Sequence, residues 1–248
     1  MNSELKHTFL ERWKKYFNNA PLPIVFFYSD TLQNAEHVEK PSGHQCLIGE
    51  LAKVRNGTSL AFDAGSVTCG GGKRYLGFSS TLRPRFEYFL SHGIPGEMEG
   101  ERYIQTPEQV KELLAGMKQV PAGNRYIIFR RWDRIEEADD PQAVVFFATP
   151  DVLSGLFTLV NFDHTHGNGV VAPFGAGCAS IVYHPLLENR KDDPKAVIGM
   201  FDVSARPWVP AEVLTLAIPM KRFVNIVSYM EESFLITDSW KKVMKRIT

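Results

Sequence analysis

The sequence is poor in cysteine, and it lacks both an excess of charge and a long apolar run. Only three of its 248 residues are cysteine, and such an odd, sparse count argues against a disulfide framework. No stretch of roughly 18 uninterrupted apolar residues occurs, so no membrane span is expected. The charged N-terminal segment does not read as a targeting signal. We therefore expect a cytoplasmic protein with reduced thiols.

The charge balance does not indicate a polyanionic partner. Lys plus Arg and Asp plus Glu number 28 each, so the formal net charge is zero. A nucleic-acid partner is not expected from such a balance. Hydrophobic residues make up 44% of the chain, which is ordinary globular usage. We predict one domain over residues 1–248, opening with an amphipathic helix in residues 1–20.

Helical and extended patterns alternate along the chain. This alternation predicts an α/β fold, a mixed β-sheet with helices packed on its faces. Thr106 is predicted to cap a helix that has Pro107 at its first position, and Asp238 is predicted to cap the last helix. The other main predictions are helices at 3–17, 44–55, 82–92 and 150–160 and strands at 24–28, 58–63, 126–129, 144–148, 197–203 and 213–218.

A glycine-rich segment follows Cys69, with Gly70, Gly71, Gly72 and Lys73 in succession. Glycines let a ligand approach the backbone closely, and a helix starting here would favour an anion at its N-terminus. The same field would lower the pKa of Cys69. The spacing matches neither a phosphate-binding P-loop nor a dinucleotide fingerprint. The competing interpretation is a tight turn with a small buried thiol.

Cys178 follows a second run of small residues, and Cys46 lies in an apolar helical pattern. Either thiol could simply pack in the core. The segments around Cys69 and Cys178 are similar enough to suggest an internal pseudo-repeat. If Cys46, Cys69 and Cys178 converge, three thiolates would suit a soft metal ion or an iron–sulfur cluster. No Cys-x-x-Cys spacing supports this hypothesis directly.

Histidine and arginine side chains supply further candidates. His164 and His166, with Asp163, could bind a metal if the segment is extended, although such loops are often only solvated. His44 and His184 each lie near a cysteine and could act as a base for a thiol. Arg206 follows a predicted strand, where an arginine is well placed to hold an anionic ligand. A surface ion pair is the simpler alternative.

Several motifs together resemble domain of unknown function family 169, a group of uncharacterised bacterial and archaeal proteins. The resemblance spans roughly residues 23–233 and implies no established activity. It also implies, in many members, a further cysteine four residues before the arginine, where this chain has Asp202; for a metal or cluster site that used this cysteine, the change either weakens the site or substitutes an oxygen ligand. The motifs are Cys46, Ala52-Lys53-x-Arg55-x-Gly57, Cys69-Gly70-Gly71-Gly72, Leu76-Gly77, Phe146 to Leu153, Gly177-Cys178-Ala179, Arg206 and Leu214 to Pro219.

Three functional hypotheses follow. The first is a redox or metal-binding pocket formed by the three cysteines, with Lys73 and Arg206 holding an anionic small molecule. The second is a binding module without chemistry, in which Gly70, Gly71 and Gly72 cradle an anionic metabolite. The third is a thiol enzyme that uses Cys69 with a histidine base.

Overall fold

The computed structural model describes residues 3–247, and its strands form a mixed sheet of eight. The predicted α/β class is therefore confirmed. The strands are β1 (Ile24–Ser29), β2 (Glu36–His37), β3 (Leu60–Phe62), β4 (Tyr126–Arg131), β5 (Ala143–Ala148), β6 (Val170–Val171), β7 (Ala196–Gly199) and β8 (Leu214–Pro219). The α-helices are α1 (Ser3–Phe17), α2 (Leu47–Arg55), α3 (Gly70–Tyr75), α4 (Phe86–Leu90), α5 (Pro107–Gly116), α6 (Pro150–Val160), α7 (His184–Asn189), α8 (Met220–Tyr229) and α9 (Asp238–Met244).

The central strands are buried on both faces of the sheet. In β5, Val145 and Phe147 belong to one core and Val144 and Phe146 to the other, as the period of two along a strand requires. Helices α1, α6, α8 and α9 cover the second core. Helices α2 and α7 cover the first core, and this face of the sheet carries the candidate site.

The strand order is the same in the two halves of the sheet. From one edge inward it runs β2-β3-β4-β1, and from the other edge β6-β7-β8-β5. In both halves the outer pair is parallel and the inner pairs are antiparallel. Each half places one cysteine at the start of the helical segment that joins its parallel strands: Cys46 precedes α2, and Cys178 is the second residue of the segment that ends with α7. This order is consistent with the predicted pseudo-repeat. In it, the position equivalent to that of Cys178 is held by Cys46, whereas the sequence pattern suggested Cys69.

Several predicted boundaries are wrong, each for a local reason. The helix expected at 82–92 is confined to α4, because Arg85 adopts a left-handed φ of 61° just before it. The strand expected at 197–203 ends at Gly199. The last helix is capped by Thr237, whose side chain accepts the Trp240 amide, so Asp238 is its first residue and not its cap. Thr106 caps α5 as predicted, in a capping box with Gln109.

No helix within residues 3–247 combines the length and the apolar character needed to cross a bilayer. The longest, α1, has 15 residues and turns an aromatic stripe toward the sheet. Phe9 and Trp13 on this stripe contact Phe146 of β5 at ring-centroid distances of 6.2 and 5.1 Å. The predicted N-terminal amphipathic helix is thus present over residues 3–17, while residues 1 and 2 lie outside the described range.

Candidate functional site

A cavity of about 340 Å³ opens on the face of the sheet that α2 covers. Its size falls in the range typical of small-molecule sites. All three cysteines of the chain line this cavity, although they come from well-separated segments. Asp202, from the loop between β7 and β8, lines it as well. The fold therefore brings together the three thiols that the sequence singled out.

Two of the cysteines occupy the residue before a helix, and Cys178 is the second residue of a helical segment that begins at Gly177. Cys46 precedes α2, Cys69 precedes α3, and Cys178 precedes a π-helical turn, Ala179–Tyr183, that continues into α7. The sulfur of Cys69 accepts a hydrogen bond from the Gly72 amide at 3.5 Å. The first amides of a helix have no partner inside the helix, so a thiol at this position lies next to free N–H groups.

Two polar side chains join the loops that carry the cysteines. The hydroxyl of Thr68 accepts the Gln45 amide at 3.1 Å and donates to the Gly43 carbonyl at 3.1 Å. Thr68 thereby holds the chain before Cys46 against the chain before Cys69. On the other side, Asp202 accepts the Gly177 amide at 3.1 Å, and so ties the loop before Cys178 to the loop after β7.

Burial and neighbouring charges keep two of the thiols protonated. Burial raises the pKa of Cys46; the backbone amides of Ile48 and Gly49 partly offset this rise, and the nearby Cys69 and Asp202 add to it. Burial also raises the pKa of Cys178 well above its ordinary value, with added contributions from Cys69, Cys46 and Asp202. These mutual effects show that the four groups lie within electrostatic reach of one another.

The glycines beside Cys69 differ in what they contact. Gly71 and Gly72 line the cavity, whereas Gly70 does not, and none of the three has a positive φ. They form the first turn of α3 instead of a cradle with unusual dihedral angles. A Cβ on Gly177 would lie 2.9 Å from Cβ of Ala205 and 3.3 Å from Ile48. That glycine therefore serves close packing beneath the site.

The two predicted cations lie outside the cavity lining. Lys73 of α3 does not line the cavity, and among the described residues no lysine or arginine does. The guanidinium of Arg206 donates to the Val213 carbonyl and, at 2.5 Å, to the Ala211 carbonyl. Arg206 lies in a short 3-10 helix, Arg206–Trp208, and not directly at a strand end. Its observed role is to hold the loop that leads into β8.

The histidines divide between the cavity and a distant loop. His44 and His184 line the cavity, and burial lowers the pKa of His184, but neither makes a hydrogen bond to a cysteine in the part of the chain described. His164 and His166 lie in a turn segment, not in an extended one. Asp163 there is paired with Arg222, at 2.8 Å between Oδ2 and Nη1, so the three do not form the predicted metal site.

The aromatic wall of the cavity was not foreseen from the sequence. Six aromatic side chains from five segments line it: Tyr75, Phe86, Phe89, Tyr103, Phe174 and Trp208. A Cβ on Gly49 would lie 2.8 Å from the Trp208 ring, so this glycine lets the indole lie against α2. The only sequence signal was the presence of aromatic residues in loops, which by itself does not indicate where they meet.

Within residues 3–247, no group of three or more His, Cys, Asp or Glu side chains is arranged to hold a metal ion. The prediction of one soft ion on Cys46, Cys69 and Cys178 thus has no support from the geometry. A 4Fe–4S cluster is a different case, because each of its cysteines binds a separate iron atom.

One comparison with known proteins gives a match. The model of domain of unknown function family 169 (DUF169), described as uncharacterised ArCR, matches residues 16–229. Neither the curated proteins nor the solved structures contain a significant match. The matched segment includes the three cysteines and Asp202, and the family's description assigns no activity.

Proposed function

The chain belongs to domain of unknown function family 169, and we propose that its three cysteines hold an iron–sulfur cluster at one end of the cavity. The observation that carries this proposal is that every cysteine in the sequence lines the same cavity. They arrive from three separate segments, each at the start of a helical element. Cysteines that served only as small core residues would have no reason to meet at one surface.

The electrostatics of the site favour a cationic occupant. Burial raises the pKa of Cys46 and Cys178, and the proximity of the three thiols and the Asp202 carboxylate adds to the shift. Thiolates are therefore disfavoured while no cation is near. A bound metal centre reverses this balance, because coordination deprotonates a thiol outright. Iron binding would thus release protons and become tighter as the pH rises.

The same pKa shifts argue against a thiol enzyme built on Cys46 or Cys178. Thiol nucleophiles require a thiolate at neutral pH, which depends on a lowered pKa and on a base within hydrogen-bond reach. Both shifts have the opposite direction. The exposed His44 is available for contacts with solvent and ligand, and burial favours the neutral form of His184.

Asp202 would supply the non-cysteine ligand of the cluster. Its Oδ2 accepts one hydrogen bond, from the Gly177 amide, and its Oδ1 accepts two, from the amide and hydroxyl of Ser204. A carboxylate offers about four acceptor positions, so one is left. This remaining acceptor position is on a residue that is only 7% exposed and that lines the cavity together with the thiols.

The direct experiment is anaerobic isolation followed by reconstitution with iron and sulfide. We expect a brown protein with visible thiolate-to-iron absorbance and with iron and acid-labile sulfide in stoichiometric amounts. Single Cys46→Ser, Cys69→Ser and Cys178→Ser variants should each lose most of the colour. Because the chain has no cysteine outside the cavity, Phe174→Leu is the control: it alters the aromatic wall of the cavity and keeps all three thiols.

Two results would overturn the proposal. One is a wild-type protein that stays colourless and iron-free after reconstitution while it is folded by circular dichroism. The other is colour that survives unchanged in all three serine variants, since the iron would then be bound elsewhere. A serine variant that fails to fold is replaced by the corresponding alanine variant, and the comparison is made on folded proteins only.

A further inference from the structure

The part of the cavity that the thiols do not occupy has a distinct chemistry of its own. Its wall is aromatic and aliphatic, with Leu90, Ile104, Leu113 and Met117 among the six aromatic rings. Tyr103 and Phe174 meet edge to face at 6.1 Å between centroids, and Phe86 and Phe89 lie 5.9 Å apart. Such a wall buries a flat apolar ligand well, because rings stack on it or meet it edge-on.

The charged groups that line the cavity are acidic. Asp202 is deeply buried, and Glu101 lies at the exposed rim. No lysine or arginine within the described part of the chain lines the cavity to balance them. Both carboxylates lie within electrostatic reach of the Tyr103 hydroxyl. The hydroxyl therefore marks the acidic end of the cavity.

The Tyr103 hydroxyl is also buried, and the Ser204 hydroxyl and the Glu101 carboxylate lie near it without forming a well-directed hydrogen bond to it. A buried polar atom without a partner costs free energy unless a ligand or water satisfies it. Aromatic ring faces attract cations as well.

We propose that the cavity binds a flat aromatic molecule that carries a positive charge, such as an aromatic amine. Its ring lies among Phe86, Phe89 and Trp208, and its charged nitrogen approaches Glu101 and the Tyr103 hydroxyl. This inference opposes the anionic ligand expected from the glycine-rich segment, because the cations that segment would need lie outside the cavity. The inference rests on the residues that line the cavity and does not require the cluster.

Three indole compounds that share one ring system and differ in charge provide the test. They are tryptamine, a cation; tryptophol, which is neutral; and indole-3-acetate, an anion. Calorimetric titration of the full chain should give the tightest binding for tryptamine, by roughly tenfold over indole-3-acetate, as expected for one charge contact. Glu101→Gln should remove most of that preference and leave tryptophol binding unchanged.

Glu99→Gln is the matched control, because Glu99 is exposed two residues away and does not line the cavity. Equal binding of the three compounds, tighter binding of indole-3-acetate, or no binding of any of them would overturn the proposal. Repeating the titration with Cys69→Ser separates this inference from the cluster. Tryptamine preference should persist in this variant, which has lost the cluster, whereas loss of the preference in a folded Cys69→Ser protein would show that the ligand needs the cluster and would overturn the inference.

Discussion

At the scale of single residues, the site depends on side chains that hold loops in place as much as on the thiols. Thr68 and Asp202 each connect two loops through backbone hydrogen bonds. Neither was a candidate from the glycine or cysteine pattern, and Asp202 entered only through a family resemblance. Hydroxyl and carboxylate side chains are common in loops, so the role of such a side chain is clear only when the structure shows which loops it joins.

Thr68→Val should weaken the site without unfolding the protein. Valine has nearly the same shape but forms neither hydrogen bond, so the loops before Cys46 and Cys69 lose their connection. We expect a loss of about 1–2 kcal/mol in the free energy of unfolding and a clear drop in iron bound after reconstitution. The control is Thr158→Val on α6, where the hydroxyl bonds only its own helix. Equal iron content in the two variants would contradict the role of Thr68.

The raised pKa values predict how the thiols react in the iron-free protein. The thiolate is the reactive form, and the pKa of Cys178 lies well above the ordinary cysteine value of 9.0. Alkylation of Cys178 by iodoacetamide should therefore be the slowest of the three and should still accelerate above pH 9. Peptide mass spectrometry reads each site separately. Modification of Cys178 at pH 7 as fast as a free cysteine peptide would contradict this environment.

At the scale of elements, the sequence predicted the helices better than the site. The bounds of α1 and α6 match the periodicity, because their apolar stripes are continuous and their ends are marked by proline or a capping residue. The strand β2 was missed because it has only two exposed residues. The convergence of the cysteines could be raised only as a hypothesis, since it depends on which strands become neighbours in the sheet.

Gly199 of β7 is the element-scale test of how Cys178 is positioned. A Cβ there would lie 2.2 Å from Cβ of Ser180, inside the π-helical turn that follows Cys178. Gly199→Ala should push this turn away from the sheet, at a cost of about 1–3 kcal/mol in unfolding free energy, and should lower iron uptake. Gly123→Ala serves as the control, because its added Cβ meets nothing within 4 Å. Normal stability and iron uptake in Gly199→Ala would contradict the packing argument.

At the scale of the whole molecule, one sheet runs through both topologically similar halves. The central pair β1 and β5 joins them through antiparallel pairing, and β5 pairs along its full length with β8. The site draws Cys46 and Cys69 from the first half and Cys178 and Asp202 from the second. The four groups therefore meet only when both halves are folded and joined.

This arrangement predicts a single cooperative unfolding transition, as expected of one domain. Far-ultraviolet circular dichroism and tryptophan fluorescence should give coincident urea curves, because the two faces share the same central strands. Two separated transitions would show that the halves fold independently. They would also contradict the prediction of one domain over residues 1–248.

The most direct test of the central claim is a crystal structure of the anaerobically reconstituted protein, with anomalous data collected at the iron absorption edge. We expect one compact iron peak in the cavity, within bonding distance of the sulfur atoms of Cys46, Cys69 and Cys178, with the Asp202 carboxylate beside it. An ordered cavity with the three sulfur atoms resolved and no iron peak between them would contradict it.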